Sequence, residues 1–259
     1  MITDPTARRR ATDMLWQSEA FPEAQDRLGM VNKSFTAPVV VTNYPEIWPD
    51  FPTVPQADTL ALTPQAHDLV IHSMGLHWAN DPVGQLVQCR RALRPDGHLI
   101  TLMFGGQTLN ELRTALAQAE SQITGGLSPR VLPMGEIRDL GALLQRAGFA
   151  LPVADSYTKS VLYRDIYHLM HDLRGFGEGS ALAGRPRHFT RRDIFARADD
   201  IYRANFGQSD GLIQATFEVI ALTGWAPHDS QQKPLRPGSA AARLADVLNS
   251  DPDRDAKGS

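Results

Sequence analysis

His77 and Trp78 lie in the run Ser73-Met74-Gly75-Leu76-His77-Trp78-Ala79-Asn80-Asp81-Pro82, between an apolar stretch and a helix start. An imidazole titrates near neutral pH, so His77 is the candidate general base, and Trp78 offers a flat face to a substrate or partner. The plainer alternative is that both side chains pack the loop onto the helix that follows. Arg113 and Arg130 carry planar, forked guanidinium groups suited to a carboxylate or carbonyl. Beside Arg130, however, Gly125-Gly126 and Ser128-Pro129 are explained by turn chemistry alone. A third set, Trp225, His228, Gln231, Lys233 and Arg236, falls in a stretch without periodicity. Such a stretch takes its shape from side-chain contacts, either as a docked tail or against a bound polypeptide.

Spacing gives metal chemistry no support. None of the eight histidines has a partner at zinc-helix spacing, and Cys89 is the single cysteine. An iron triad would need His77 and His228 brought to a carboxylate by folding, and no metal is expected. Nucleophile-elbow and Walker patterns are missing as well.

The elements that must position these groups centre on residues 67–104. His67-Asp68-Leu69-Val70-Ile71-His72 reads as a buried strand, Asn80-Asp81-Pro82 as a helix start, and Leu86, Val87, Ala92 and Leu93 as an apolar helix stripe. Arg94-Pro95-Asp96-Gly97 reads as a turn, after which His98-Leu99-Ile100-Thr101-Leu102-Met103-Phe104 returns to the sheet. Strand, helix and strand make a right-handed parallel unit, whose ligands bind beyond the carboxyl ends of the strands, near residues 73–78 and 104–107.

Before this unit, residues 1–32 read as a helical approach segment, with Ala11, Met14, Leu15, Trp16 and Phe21 as its apolar face and Phe21-Pro22 as an interruption. Arg8-Arg9-Arg10 suits a solvated helix end. Ala37-Pro38-Val39-Val40-Val41-Thr42 reads as a strand with Pro38 at its start. Prolines at 45, 49, 52 and 55 leave room for one short strand, placed at Thr59-Leu60-Ala61-Leu62, and little helix.

After the unit, Thr108 and Glu111 have capping-box spacing for a helix over residues 109–121. Residues 137–148 read as an amphipathic helix closed by Gly148, residues 150–157 and 159–162 as strands, and residues 165–175 as a core helix. Phe176-Gly177-Glu178-Gly179-Ser180 reads as a mobile glycine-rich turn. A helix over residues 191–205 and an antiparallel edge strand over residues 212–224 follow.

A formal charge of −3 and a lack of interleaved aromatics in the arginine-rich stretch 185–192 argue against nucleic acid. No apolar run reaches membrane-spanning length, and the lone Cys89 suits a reducing cytoplasm, the compartment expected here.

The segments Asp68-Leu69-Val70, Leu76-His77-Trp78-Ala79-Asn80-Asp81, Leu93-Arg94-Pro95-Asp96-Gly97 and 104–113 together resemble the fourth and fifth strands of a class I S-adenosylmethionine methyltransferase fold. More narrowly, they and the segment 225–240 are similar to bacterial relatives of the mitochondrial complex I assembly-factor arginine hydroxylase, of the methyltransferase type 11 and biotin-synthesis methyltransferase kind. The resemblance implies an α/β, Rossmann-like class I methyltransferase sheet, truncated near strands 1–3, with a helical insertion at about 163–210 before the last strand. It divides the chain into a lid segment 1–32, a methyltransferase-like domain 33–244 and a disordered tail 245–259. S-adenosylmethionine is the cofactor it implies, at Thr42, Asn43, Tyr44, Asp58, Ser73 and Met74. That cofactor needs a glycine-rich turn after the first strand and an acid on the second, yet no glycine occurs between Met30 and Ser73. The expected protein therefore binds or acts on a protein partner with its cofactor binding weakened or lost. The alternative is an active methyltransferase or a protein-arginine hydroxylase serving respiratory-complex assembly.

Overall fold

The computed structural model describes residues 2–8 and 10–232, and the chain divides into two compact units after Pro227. Lys233, Arg236 and the expected tail lie outside the described residues.

Within residues 1–227 a six-stranded sheet runs in the order β2-β1-β3-β4-β6-β5. Its strands are β1 (Pro38–Val41), β2 (Thr53–Val54), β3 (His67–Ser73), β4 (Leu93–Phe104), β5 (Ala150–Tyr163) and β6 (Ile213–Trp225). The first four pair in parallel, and β6 and β5 pair antiparallel to their neighbours. Alternation along β4 explains the three layers: Ile100, Leu102 and Phe104 enter one core, whereas Leu99 and Met103 enter the other. The first core is covered by α1 (Leu15–Gly29), α3 (Asn110–Thr124), α5 (Ile166–Gly175) and α6 (Arg192–Phe206). The second is covered by α2 (Pro82–Ala92) and α4 (Ile137–Arg146), and holds the buried Cys89.

Several expectations need correction. The strand at 213–225 is not an edge. It pairs on both sides, and its alternate residues fill both cores, while β5 forms the edge as one continuous strand rather than two. The short strand lies at Thr53–Val54 instead of 59–62, and residues 42–66 contain no α-helix. Pro22 sits inside α1 without ending it, because Trp16, Ala20 and Ala24, one turn apart, bury a face worth more than the single lost hydrogen bond. Arg94-Pro95-Asp96-Gly97 is no separate turn: β4 begins at Leu93, and the register jumps from His67↔Leu93 to Leu69↔His98, with Asp96 at φ 60°.

The capping box also fails. Helix α3 begins after Leu109, held at φ 54° by its N–H donating to the Thr216 carbonyl at 2.8 Å. The Thr108 hydroxyl instead accepts from Glu218 N–H and donates to its carbonyl, and Glu111 receives Thr216 N–H. The start of α3 is thus tied to β6, which fixes the wall of the cavity described next.

Candidate functional site

Beyond the carboxyl end of β4, a cavity of about 290 Å³ opens between α3, α5 and the loop 129–134. Phe104, Leu109, Leu112, Leu116, Met170, Leu173, Phe195 and Phe217 make its walls apolar. Trp78, Thr108, Glu178 and Ser180 line it as well, together with the arginines Arg130, Arg174 and Arg185, and bring polar groups to it.

Glu178 arrives there through a helix-ending motif. Gly177, at φ 76°, donates its N–H to the Arg174 carbonyl, and Glu178 N–H donates to the Leu173 carbonyl at 2.8 Å. This paired pattern is the Schellman arrangement, in which a left-handed glycine closes a helix. Its geometry turns the Glu178 carboxylate, only 7% exposed, towards the loop after β3. There its Oε2 accepts from Trp78 Nε1 at 2.9 Å and lies 3.3 Å from His77 Nε2. Both contacts fall on one oxygen, so Oε1 remains for a ligand.

His77 has no exposed side-chain surface. Phe104 N–H approaches its Nδ1 at 3.5 Å, which assigns the ring proton to Nε2 and directs it at Glu178. With both nitrogens engaged, His77 positions the carboxylate and is not a free base, a correction to its expected role. Trp78 lines the cavity.

Arg130 lines the cavity, but its guanidinium is already used. It grips Glu120 through two bonds of 3.1 and 2.7 Å and donates to Thr190 Oγ1 at 2.8 Å. Hydrogen bonds from Arg130 hold the Glu120 carboxyl below its ordinary range, with Ser128 assisting and burial opposing. Arg113 donates to the carbonyls of Thr108 and Leu132 and clasps the loop to α3. Burial pulls its pKa down, with Glu136 acting the other way. Arg130 is thus committed to Glu120 and Thr190, whereas Arg113 uses one terminal nitrogen for both carbonyls and leaves its buried Nε without a partner.

The expected cofactor residues converge only in part. Thr42, Asn43, Tyr44, Ser73 and Met74 do gather at the carboxyl ends of β1 and β3. Thr42 Oγ1 accepts from Tyr44 N–H, the Tyr44 hydroxyl accepts from Ala11 N–H, and the buried Met74 has φ 43°. Asp58 is exposed, and its carbonyl accepts from Gln88 on α2.

Gln56, which the sequence did not single out, crosses the ends of these strands. Its N–H donates to Asn43 Oδ1 at 3.0 Å and its Nε2 donates to the Ser73 carbonyl at 2.6 Å. A Cβ at Gly75 would fall 2.0 Å from Gln56 Nε2, so Gly75 is the residue this crossing requires.

Trp225 sits at the opposite end of the sheet. Its register partner is His98, whose ring lies 4.2 Å away, while Lys33 Nζ is 5.4 Å from the Trp225 ring centroid. His228 belongs to the separate unit, where its Nδ1 lies 2.6 Å from Ser230 Oγ and its N–H donates to Gln231. Among the described residues no group of three or more His, Cys, Asp or Glu is placed to hold a metal.

These features define a methyltransferase-type α/β sheet with a substrate-sized cavity at the end of β4. Residues 46–101 match the model of the methyltransferase domain. A crystal structure of a methyltransferase from Bacillus halodurans superposes with TM-score 0.50 over 79% of this chain and 98% of that one, at 14% identity. The chain therefore has the class I methyltransferase fold. Among named proteins it is similar to the mitochondrial arginine-hydroxylase NDUFAF5 of Danio rerio, 41% identical over 70% of this chain and 56% of the relative, and of Mus musculus, 39% identical over 77% and 61%. It is also similar to the malonyl-[acyl-carrier protein] O-methyltransferase of Halorhodospira halophila, 32% identical over 64% and 54%. The chain thus spans a little over half the length of these relatives.

The fold implies S-adenosylmethionine at the carboxyl ends of the first strands. Asn43, Gln56 and the Ser73 carbonyl satisfy one another across the strand ends, and the expected ribose acid Asp58 is on the α2 side. No step below is routed through that cofactor.

Proposed function

We propose that this chain recognises an arginine side chain of a partner protein and serves its oxidation, as the name of its arginine-hydroxylase relatives describes for them. The observation that supports this reading is the nearly buried Glu178 carboxylate on a cavity with a mainly apolar lining, which also includes Arg130, Arg174 and Arg185. An arginine side chain has the matching form, three methylenes ending in a planar cation. Phe104, Leu112, Leu116 and Phe217 receive the stem, and Glu178 Oε1 accepts from the guanidinium. His77 and Trp78 hold Glu178 through Oε2, so its orientation is set before the ligand enters. Exclusion of water by the apolar walls strengthens that charge-assisted bond.

Replacing C–H by C–OH requires an oxidant and a reductant from outside the chain. The residues described here contribute binding and orientation of the side chain.

The test is mass spectrometry of proteins that co-purify with the chain, compared with those from cells carrying Glu178→Gln. An arginine gaining one oxygen with the native chain and losing that modification with the variant is the expected result. A methyl group instead of oxygen, or a modification indifferent to Glu178, would overturn the reading.

A further inference from the structure

Arg8 already places a guanidinium at the edge of this site. Its Cζ lies 5.4 Å from the centroid of the Trp78 ring, and its Nη1 donates to Gln56 Oε1 at 3.5 Å. Glu178 and Tyr44 supply the negative field that opposes the downward pull of burial on its pKa. A cation over an indole face with an amide oxygen at its end, in the field of a carboxylate it does not pair with, is an environment that suits a guanidinium ligand.

The segment that carries Arg8 is tied across the site at several points. Ile2 and Thr3 donate their N–H groups to Asn80 Oδ1 at 2.7 and 2.9 Å, and Thr3 Oγ1 donates to the Trp78 carbonyl at 2.8 Å. Asp4 N–H donates to the Ala181 carbonyl, and its carboxylate pairs with Arg185 at 3.2 Å. These bonds range from the exposed Ile2 N–H to the buried Thr3 hydroxyl, each worth on the order of 1 kcal/mol, and none of the residues involved belongs to the two cores of the sheet, so the strap can lift without unfolding them.

We propose that Arg8 is a built-in occupant: it marks the subsite formed by Trp78, Gln56 and Glu178 for the partner's arginine and blocks that subsite until the strap 2–8 is displaced. The inference rests on the arginine reading above, since it assigns the place where that side chain's head group is held. Release of the strap then couples partner docking to site opening, because a partner that competes for Asn80 or Arg185 frees Trp78 at the same moment.

The experiment is calorimetric titration of the whole chain with N-acetyl-arginine N-methylamide, with the lysine analogue as control. Arg8→Ala is expected to bind the arginine probe at least tenfold tighter than the native chain, with no comparable gain for the lysine probe. Asn80→Ala, which loosens the strap and leaves the subsite intact, is expected to show a gain in the same direction. Adding Glu178→Gln to Arg8→Ala is expected to remove the gain. Equal affinity of the native chain and Arg8→Ala, including no binding by either, would overturn the proposal, and so would equal gains for both probes. Probe binding without any oxidised partner arginine would sink the proposed function and leave the subsite standing. Partner oxidation with no gain in Arg8→Ala would do the reverse.

Discussion

The two halves of the sheet finish differently at the same end. Over β1 and β3 the chain's own polar groups close the surface, with Gln56 bonded to Asn43 and to the Ser73 carbonyl and Arg8 laid nearby. Past the end of β4 the surface falls away into an apolar cavity with Glu178 at its polar end. One end of the sheet therefore carries a stretch closed by the chain's own polar groups beside a cavity whose edge Arg8 approaches at Trp78.

The largest expected effect comes from breaking the open half. Arg130→Ala leaves the nearly buried Glu120 without its paired cation, and urea unfolding should show a loss of about 3 to 5 kcal/mol, the usual result of removing one partner of a buried pair. A loss under about 1 kcal/mol would mean that the pair does not brace the cavity wall.

A second prediction uses two buried imidazoles, His72 in β3 and His98 at the start of β4. Burial pushes both pKa values down to about 4, with the hydrogen bond to Gln85 acting upward at His72 and that with the Gly224 backbone acting upward at His98. Both rings are therefore neutral in the folded chain, whereas the unfolded chain takes up protons near the ordinary value of about 6.5. The stabilisation is complete above pH 6.5 and is lost as pH falls towards 4. Between pH 7.5 and pH 4.5 each ring should cost about 2 to 3 kcal/mol in urea unfolding. A His98→Gln chain should retain only the His72 share of that slope, which places the effect on one side of the comparison.

The smallest effect tests the closed half directly. Gln56→Ala removes hydrogen bonds across β1 and β3 and should cost about 1 to 2 kcal/mol. Thermal unfolding of the native chain should be unchanged by added S-adenosylmethionine, and an increase would show that the closed half opens to admit it, which would break the comparison.

Much of the layered fold was legible in the sequence because burial on two faces leaves a periodic trace. His67–Ser73, Pro82–Ala92 and the β4 core could be read from apolar spacing, and Asp81 and Gly148 were recognisable as helix ends. The candidate site was legible only to the level of a loop. His77 and Trp78 stood out by residue type, but whether His77 is free or held depends on a carboxylate about a hundred residues away. Gly177 followed by Glu178 was a visible signal for a helix end and was read as a mobile turn, since nothing local says what the turned carboxylate will meet.

The sequence alone therefore determined the βαβ unit of β3, α2 and β4, because hydrophobic periodicity and turn chemistry are local properties. Tertiary structure alone decided that Glu178 faces Trp78, that Glu120 consumes Arg130 and that Gln56 with Arg8 occupies the ends of β1 and β3. Those are pairings between charges and polar groups distant along the chain, and a side chain's partner is chosen by where the folded backbone brings it.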